Sequence, residues 1–443
     1  MRHYLILGAG AAGVAAAESI RSRDPQGQIT LLYAEREGYY SRPGLAYYLT
    51  GEIPERQLFP WTKQDFQRFQ IHLREGRATQ ILPDSHEVAL ASGQRIPYDC
   101  LLIATGSSAV AARIPGANLQ GVVKLDSLHD TRLTIEAAQR AKHAVVVGGG
   151  ITALEMVEGL QARGVKVHYF LRKDRYWSNV LDEIESRIVE ARLQHEGVTL
   201  HYNTDLAEIV EKKGRVAAVR TEDGREIACQ AVGVAIGVRP NLDFAQKVGL
   251  KIEKGLLVNE YLQTNLPEIY AAGDVAQVFD PATGRAGMDV LWNTAREQGR
   301  TAGLNMTGAH TPYHKSVPFN VTRLAGLTTT IIGQVGSGHD ADPDLMGIAR
   351  GDSETWRDLP DAIVAQRDFE INRLRLMVGE RSLLGALIMG DQTLSQPVYH
   401  LVRVAADITP IREQLLTPNA PLADLLVDFW HHWRQASYEH ASE

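Results

Sequence analysis

Cysteine is scarce in this chain. Two cysteines occur among 443 residues, Cys100 and Cys229, and no Cys-x4-Cys pair is present. A content this low excludes a disulfide-rich fold and is typical of a reducing compartment, so the sequence predicts a cytoplasmic protein. Both cysteines lie beside apolar residues, where thiols are more often inert and buried than redox-active.

Long apolar runs, blocks of like charge and metal-ligand spacings are also missing. No stretch reaches the roughly 18 apolar residues of a membrane helix. The net charge is −7 and the sequence contains no cluster of basic residues, so nothing in it indicates a nucleic-acid-binding surface. Neither a Ser-His-Asp set nor a His-rich spacing is present, and the adjacent His431 and His432 would point apart on a helix, so no metal site is predicted. The length predicts two to four domains.

Two glycine-rich turns are the most informative feature that is present. The first follows the apolar run 3–7 and contains Gly8, Gly10 and Gly13. Gly8 permits a tight turn, Gly10 lets the backbone approach a pyrophosphate, and Gly13 lets the next helix pack closely on the strand. The helix that follows offers free N–H groups and a favourable dipole to phosphates. This unit predicts a dinucleotide site.

The second turn is Gly148-Gly149-Gly150-Ile151-Thr152-Ala153, which follows the apolar run 144–147. One such turn is a weak signal, but two of them between strand and helix patterns imply two dinucleotides on one chain. A protein that holds two dinucleotides usually passes electrons between them.

Two carboxylates follow predicted strands. Glu35 stands after the strand 29–33, about twenty residues beyond Gly13, where a ribose hydroxyl needs an acceptor; the alternative is a solvated loop carboxylate. Asp274 ends the segment 269–274 and is predicted to contact a bound cofactor, because ligands of open α/β sheets lie at the carboxyl ends of strands. The alternative for Asp274 is an N-cap of a following helix.

The order of these motifs, together with Ala104-Thr105-Gly106, resembles the FAD- and pyridine-nucleotide-dependent disulfide-reductase superfamily over residues 1 to about 320. The resemblance implies an α/β fold with two Rossmann-like domains and a C-terminal α+β domain. Residues 1–115 and 242–320 would bind FAD, residues 116–241 would bind NAD(P), and residues 321–443 would form the interface of a homodimer.

The glycine turns and the resemblance together define the expected site residues. Contacts to FAD are predicted for Gly8, Gly10, Ala11, Ala12, Gly13, Glu35, Arg42, Ala78, Ala104, Thr105, Gly106, Gly273, Asp274 and Leu291. Contacts to the nicotinamide dinucleotide are predicted for Gly148, Gly150, Ile151, Ala153, Arg172, Lys173 and Gly237. The helix that begins near Leu291 is expected to point its N-terminus at the flavin.

Glu155 is the candidate catalytic residue. The resemblance implies a carboxylate near the nicotinamide at this position, on the first turn of the helix after the second glycine turn. The alternative is an acid that only stabilises the helix dipole.

The coenzyme preference depends on the residues just after the strand 166–170. An NAD-preferring site would have an acid there, but the chain has Arg172 and Lys173, two cations that could receive a 2′-phosphate. Ala153 in place of a third glycine, followed by an arginine after the next strand, also resembles NADPH-using glutathione reductases. The sequence therefore favours NADPH over NADH; the alternative is that the two cations are only a solvated strand end.

The tract 40–48 resembles the Arg-Pro segment of ferredoxin and rubredoxin reductases. It also resembles the segment of NADH oxidases and coenzyme A-disulfide reductases that carries a redox cysteine, but Pro43 stands in that place. Electrons must then leave the flavin for an external acceptor, and a small iron–sulfur protein is the expected one. Two alternatives are an oxidase that uses oxygen and a flavoprotein scaffold, similar to apoptosis-inducing-factor-like proteins, whose association responds to nicotinamide binding.

Beyond residue 320 the pattern predicts strands at 328–335, 363–367, 373–378 and 383–391, and helices at 397–406 and 422–433. A C-terminal part of this type resembles the flavin module of nitrite reductase large subunits. No cysteine set for an iron–sulfur cluster accompanies it.

Overall fold

The computed structural model describes residues 1–245, 248–280, 284–333, 335, 372–417 and 420–440. The described chain divides into two compact units. The first contains Met1–Arg172 and Val198–Lys315, and the second contains Lys173–Gly197 and the described residues from Ser316 onward. The sequence-based division at residues 115, 241 and 320 stays a prediction.

The helices, in chain order, are α1 (Ala11–Arg23), α2 (Gly44–Thr50), α3 (Lys63–Arg68), α4 (Leu128–Arg140), α5 (Ile151–Ala162), α6 (Glu183–His195), α7 (Trp292–Met306), α8 (Ser395–Arg403), α9 (Arg412–Leu415) and α10 (Leu422–His440). In the part of the chain that the structure describes, none of them has the length and hydropathy of a membrane span.

The strands of residues 1–172 are β1 (His3–Leu7), β2 (Gln28–Tyr33), β3 (Ile71–Glu75), β4 (Ala78–Leu82), β5 (Glu87–Leu90), β6 (Arg95–Pro97), β7 (Cys100–Ile103), β8 (Ser107–Ala109), β9 (Val122–Val123), β10 (His143–Val147) and β11 (Lys166–Phe170). The strands that come next in the first unit are β12 (Thr199–His201), β13 (Leu206–Lys212), β14 (Arg215–Thr221), β15 (Glu226–Ala228), β16 (Ala231–Val234), β17 (Val238–Pro240), β18 (Leu256–Val258), β19 (Ile269–Ala271), β20 (Ala276–Asp280) and β21 (Arg285–Gly287).

Two parallel sheets organise the first unit. One has the order β19-β7-β1-β2-β3 and the other β12-β11-β10-β16-β9. The central strands, β1 and β10, are the apolar runs that precede the two glycine turns, and their side chains are largely buried as expected of strands covered on both faces. This arrangement confirms the predicted α/β fold with Rossmann-like sheets.

Smaller sheets complete the first unit. Three of them are antiparallel, β13-β14-β15, β4-β5-β6 and β17-β8, whereas β18-β20-β21 is mixed. The pair β17-β8 joins the chain just after Gly106 to the chain just after Gly237, because Val238 pairs with Ala109 and Pro240 with Ser107. It therefore connects segments that the sequence assigns to the two cofactors.

The second unit contains an antiparallel sheet of the order β22-β23-β25-β24, formed by β22 (Phe319–Leu324), β23 (Leu327–Gly333), β24 (Arg373–Val378) and β25 (Leu383–Met389). Helix α8 packs on this sheet and α10 on α8. Helix α6 belongs to the same unit, since Arg375 on β24 donates to Glu185 at 2.7 Å and Arg373 to Asp182 at 2.6 Å.

The predictions for the C-terminal part are confirmed where the structure describes them. β23, β24 and β25 lie at the predicted strands, and α8 and α10 lie at the predicted helices, although α10 continues beyond residue 433 to His440. The predicted strand 363–367 lies outside the described residues.

Candidate cofactor sites

The first glycine turn connects β1 to α1 with backbone contacts that exclude side chains. A Cβ at Gly8, whose φ is +114°, would lie 2.2 Å from the carbonyl oxygen of Ala104, and a Cβ at Gly13 would lie 1.9 Å from that of Gly8. At Gly10, by contrast, no described heavy atom lies within 4 Å of the Cβ position. The turn is thus tight on its protein side and open on its outer side, as a pyrophosphate cradle requires.

Four of the predicted FAD segments meet around Gly273. A Cβ on this glycine would lie 3.2 Å from the Cβ of Ala12 on α1 and 3.6 Å from that of Ala295 on α7. Gln298, which is 1% exposed, accepts a hydrogen bond from the Gly273 N–H at 2.8 Å. The following Asp274 accepts from the Ser107 hydroxyl at 2.7 Å. A strand, β20, follows Asp274, so the alternative interpretation of Asp274 as a helix N-cap is wrong.

The Ala104-Thr105-Gly106 segment is held by Asn241. The Asn241 side chain donates to the Thr105 carbonyl at 2.9 Å, and its N–H donates to the Gly106 carbonyl at the same distance. A few residues away in each segment, the N–H of Val110 donates a hydrogen bond to the Gly237 carbonyl at 2.9 Å. These bonds fix the loop after β7 relative to the turn after β16.

Glu35 lies just beyond β2, where the sequence predicts the ribose acceptor. It accepts hydrogen bonds from Tyr40 at 2.5 Å and from Arg42, and Arg42 also donates to the carbonyl oxygen of Asp126. The side chains of Glu35 and Arg42 are 38% and 36% exposed, so a ligand can still reach the pair.

Ala78 and Leu291 occupy the ends of elements. Ala78 is the first residue of β4 and pairs with Leu90, and Leu291 is the N-cap of α7. Trp292, the first residue of α7, stacks on Tyr39 with ring centroids 6.3 Å apart and an interplanar angle of 14°. The start of α7 is therefore held against the segment after Glu35.

The second glycine turn repeats the first. A Cβ at Gly148, whose φ is +146°, would lie 2.2 Å from the carbonyl oxygen of Ala235, and Ala153 is completely buried beneath the turn. Around the Cβ positions of Gly149 and Gly150, no atom of the described residues lies within 4 Å. The outer side of this turn, which leads into Ile151 at the start of α5, is open in the same way.

Glu155 lies in the second turn of α5, because the helix begins at Ile151 and its first turn contains no acid. The predicted place in the first turn is wrong, and the helix dipole, which acts mainly within the first turn, explains this carboxylate less well. The residue is only 9% exposed. The catalytic role predicted for Glu155 stays a prediction.

Arg172 follows β11, and its Nε lies 3.1 Å from Oδ1 of Asp205. Both side chains are well exposed, at 63% and 40%. Lys173, the next residue, is grouped with the second unit. Arg172 is thus oriented by a carboxylate that a negatively charged ligand would have to displace or share.

Three helices that begin at predicted cofactor contacts have no side-chain cap. Within the described residues, α1, α5 and α7 have the N-cap residues Gly10, Gly150 and Leu291 and no side-chain hydrogen bond at the cap. Helices α2, α8 and α9 also lack a side-chain hydrogen bond at the cap, whereas α3, α4 and α6 each carry a reciprocal capping box. Because helix N–H groups need an acceptor, the cradles fit the phosphates of two dinucleotides and the start of α7 fits a further electron-rich group.

Both cysteines lie in buried positions of the fold. Cys100 and Cys229 are free and buried, and burial raises the pKa of Cys229 to about 12 and that of Cys100 above its ordinary value. Among the described residues, no cluster of three or more His, Cys, Asp or Glu side chains is arranged to hold a metal ion.

Sequence reasoning missed four residues that hold the predicted site residues in place: Tyr40, Ser107, Asn241 and Gln298. Two of them had a local signal, since Ser107 directly follows the Ala-Thr-Gly turn and Asn241 follows the Gly237 segment. Tyr40 bonds Glu35 five residues away but also Leu128 88 residues away, and Gln298 bonds Gly273 25 residues away; no local sequence pattern predicts the two longer-range contacts.

Comparison with known proteins identifies the class of protein that this fold and these cradles define. Residues 2–299 match the model of the pyridine nucleotide-disulphide oxidoreductase family, and the chain belongs to that family. Members of the family are FAD-dependent NAD(P)H oxidoreductases, which confirms the enzyme class predicted from the sequence.

Two proteins and one solved structure show to which members of the family this chain is similar. The chain is 33% identical to rhodocoxin reductase of Rhodococcus erythropolis over 73% of this chain and 78% of that protein. It is 28% identical to nitrite reductase [NAD(P)H] of Bacillus subtilis (strain 168) over 92% of this chain, but it spans 48% of the length of that relative. The structure of a ferredoxin reductase from Rhodopseudomonas palustris matches with a TM-score of 0.80 and 25% identity, covering 96% of this chain and 99% of that one.

Proposed function

We propose that this protein is an FAD-dependent NAD(P)H:acceptor oxidoreductase that passes electrons to a small iron–sulfur protein without an internal redox disulfide. The observation that carries the proposal is the pair of open glycine cradles, each leading into a helix without a side-chain cap, at the carboxyl ends of β1 and β10. The similarity to rhodocoxin reductase and to a ferredoxin reductase supports the class of acceptor.

The chain's own residues bind and orient the two dinucleotides. FAD, when bound, supplies the ring that takes the hydride of the nicotinamide and releases electrons singly. The first N–H groups of α1 would bind its pyrophosphate, Glu35 would accept a hydrogen bond from the adenosine ribose, and Asp274, held by Ser107, would accept a hydrogen bond from the cofactor. The N-terminus of α7 would stabilise negative charge on the reduced ring.

The nicotinamide coenzyme is bound by the second cradle. The N–H groups at the start of α5 receive its pyrophosphate, and Glu155 on the same helix orients the nicotinamide. Arg172 receives the 2′-phosphate of NADPH, the coenzyme that we propose is preferred, and Lys173 adds a second positive charge. The homodimer and the cytoplasmic location stay predictions.

Electrons leave without a protein thiol. Pro43, the N-cap of α2, has no ionisable side chain, and both cysteine thiols are buried with raised pKa values, so neither is a thiolate near neutral pH. The acceptor must therefore approach the flavin from outside.

A stopped-flow experiment tests the function. Anaerobic protein mixed with NADPH or NADH should lose its flavin absorbance within one turnover time, and the reduced protein should then be reoxidised faster by ferredoxin or rubredoxin than by oxygen. Slow bleaching with a long-lived charge-transfer complex would instead favour the scaffold alternative. Fast reoxidation by oxygen alone would favour the oxidase. A colourless protein that takes up no flavin on reconstitution would contradict the proposal as a whole.

A further inference from the structure

Tyr40 connects the predicted ribose acceptor to the start of α4. Its side chain is 3% exposed and packs edge-on against Phe59. The hydroxyl donates to Oε2 of Glu35 at 2.5 Å and accepts from the N–H of Leu128 at 3.1 Å. A single buried hydroxyl thus satisfies a carboxylate oxygen and a helix N–H at once.

The capping box of α4 provides no acceptor for the N–H of Leu128. In α4, Ser127 accepts from the N–H of Asp130, and the Asp130 side chain accepts from the N–H of Ser127. This reciprocal box does not reach the first helical N–H, which belongs to Leu128. Tyr40 supplies the acceptor for it, so the tyrosine is part of the cap as well as a neighbour of Glu35.

Arg42 holds the other oxygen of the same carboxylate. It donates to Oε1 of Glu35 and to the Asp126 carbonyl, and its guanidinium carbon lies 5.4 Å from the centroid of the Tyr40 ring. An ionised carboxylate has about four acceptor positions on its two oxygens. With one taken by Tyr40 and one by Arg42, each oxygen keeps a position for a hydroxyl, which suits the 2′,3′-diol of a ribose.

We infer that Tyr40 is a positioning residue that fixes the Glu35 carboxylate for the adenosine ribose of FAD and connects that carboxylate to the first turn of α4. The inference rests on the proposed function, because it assumes that Glu35 receives the ribose. Without the tyrosine hydroxyl, one anchor of the carboxylate is lost and Glu35 turns towards Arg42. The adenosine end of the cofactor then loses affinity, whereas the flavin end is unaffected.

The test compares two flavins on the apoprotein. FAD carries the adenosine ribose and FMN lacks it, so the ratio of their dissociation constants isolates the adenosine end from general damage. Tyr40→Phe should weaken FAD about tenfold, the effect of one lost hydrogen bond to a charged group, and leave FMN unchanged. Tyr98→Phe, at a tyrosine of similar burial (4% exposed) that stacks on His86, is the matched control and should change neither.

Glu35→Gln separates failure of the inference from failure of the proposed function. If Glu35→Gln lowers the FAD-to-FMN affinity ratio and Tyr40→Phe does not, the positioning role is wrong while the ribose role of Glu35 stands. If neither variant changes the ratio, the ribose role fails and the inference fails with it. An equal loss of both flavins in Tyr40→Phe, or full additivity of the two substitutions in the double variant, would also overturn the positioning role.

Discussion

Gly299 on α7 lies against the backbone of Ala12 on α1. A Cβ at Gly299 would be 2.1 Å from the Ala12 carbonyl oxygen, and one turn later a Cβ at Gly303 would be 2.5 Å from that of Ala16. The spacing of four residues puts both glycines on one face of α7, so the two helices approach with no side chain between them. This contact positions the uncapped starts of α1 and α7 beside the same end of the first sheet.

We predict that Gly299→Ala destabilises the protein and weakens FAD retention together. At an open helical site, replacing glycine with alanine stabilises by about 0.5–1 kcal/mol. Here the added methyl group meets backbone, and overpacking of this kind costs about 1–3 kcal/mol. Thermal unfolding and the rate of FAD loss measure both effects.

Arg300→Ala, on an exposed position of the same helix, is the control and should leave stability and FAD retention near those of the unmodified protein. A stabilised Gly299→Ala variant would show that the close packing of α1 and α7 is not required.

The elements around the cofactor cradles could be predicted from local sequence because local chemistry determines them. Gly8 and Gly148 must be glycines for steric reasons that extend over a few residues, and the apolar strands before them are buried in parallel sheets. Asp274 lies in the loop between β19 and β20, at the carboxyl end of β19, where the rule for open α/β sheets predicts a ligand contact; that contact stays a prediction.

Contacts between distant segments could not be predicted from the sequence. The hydrogen-bonded pair Ser107 and Asp274 is separated by 167 residues in the sequence, and Tyr40 and Leu128 are separated by 88. Such pairs depend on tertiary packing. The sequence predicts Glu155 in the first turn of α5, but the residue lies in the second turn, because the start of a helix after several glycines has no sharp local signal.

Ser107→Ala should weaken FAD retention without affecting the nicotinamide coenzyme. The Ser107 hydroxyl donates to Oδ2 of Asp274 at 2.7 Å and holds that carboxylate towards the predicted FAD site. Losing a hydrogen bond to a charged group costs about 1.5–3 kcal/mol at most. We expect about a tenfold faster release of FAD, with KM for NADPH unchanged. The release is measured by flavin fluorescence after dilution.

Ser92→Ala, in an exposed turn, controls for loss of a serine hydroxyl. If Ser107→Ala leaves the release of FAD unchanged, Asp274 does not depend on this bond for its orientation, and its role at the flavin would need another support.

Stability should fall in mildly acidic solution because of paired histidines on the second sheet. Nδ1 of His168 on β11 lies 3.0 Å from Nε2 of His201 on β12, and His143 stacks on His168 with ring centroids 6.1 Å apart. Burial lowers the pKa of both His168 and His201 below the ordinary value of 6.5. The positive charge of His143 lowers the pKa of His168 further, and the charges of His168 and Arg225 lower that of His201.

Proton linkage determines the direction of this pH dependence. Because the folded-state pKa values are depressed, the unfolded chain binds more protons as the pH falls below about 6.5. The free energy of unfolding is therefore highest above that pH and declines as the pH falls towards the folded pKa values. Urea unfolding between about pH 7.5 and pH 5 measures the decline, which His168→Gln should reduce. His129→Gln, at an exposed histidine on α4, should keep the original pH dependence; the same reduction in both variants would assign the effect to other groups.

Asp205 should limit the affinity for NADPH. Its carboxylate pairs with the guanidinium of Arg172 at 3.1 Å, and a 2′-phosphate would compete for the same N–H groups and be repelled by the same charge. Exposed pairs of this kind contribute about 0–1 kcal/mol, so Asp205→Asn should lower KM for NADPH about two- to fivefold and leave KM for NADH unchanged.

Arg172→Ala should do the reverse and raise KM for NADPH alone, whereas Asp223→Asn, at another exposed carboxylate paired with an arginine, should change neither. Equal changes for both coenzymes in the Arg172 and Asp205 variants would show that Arg172 does not bind a 2′-phosphate, and the preference for NADPH would lose its physical basis.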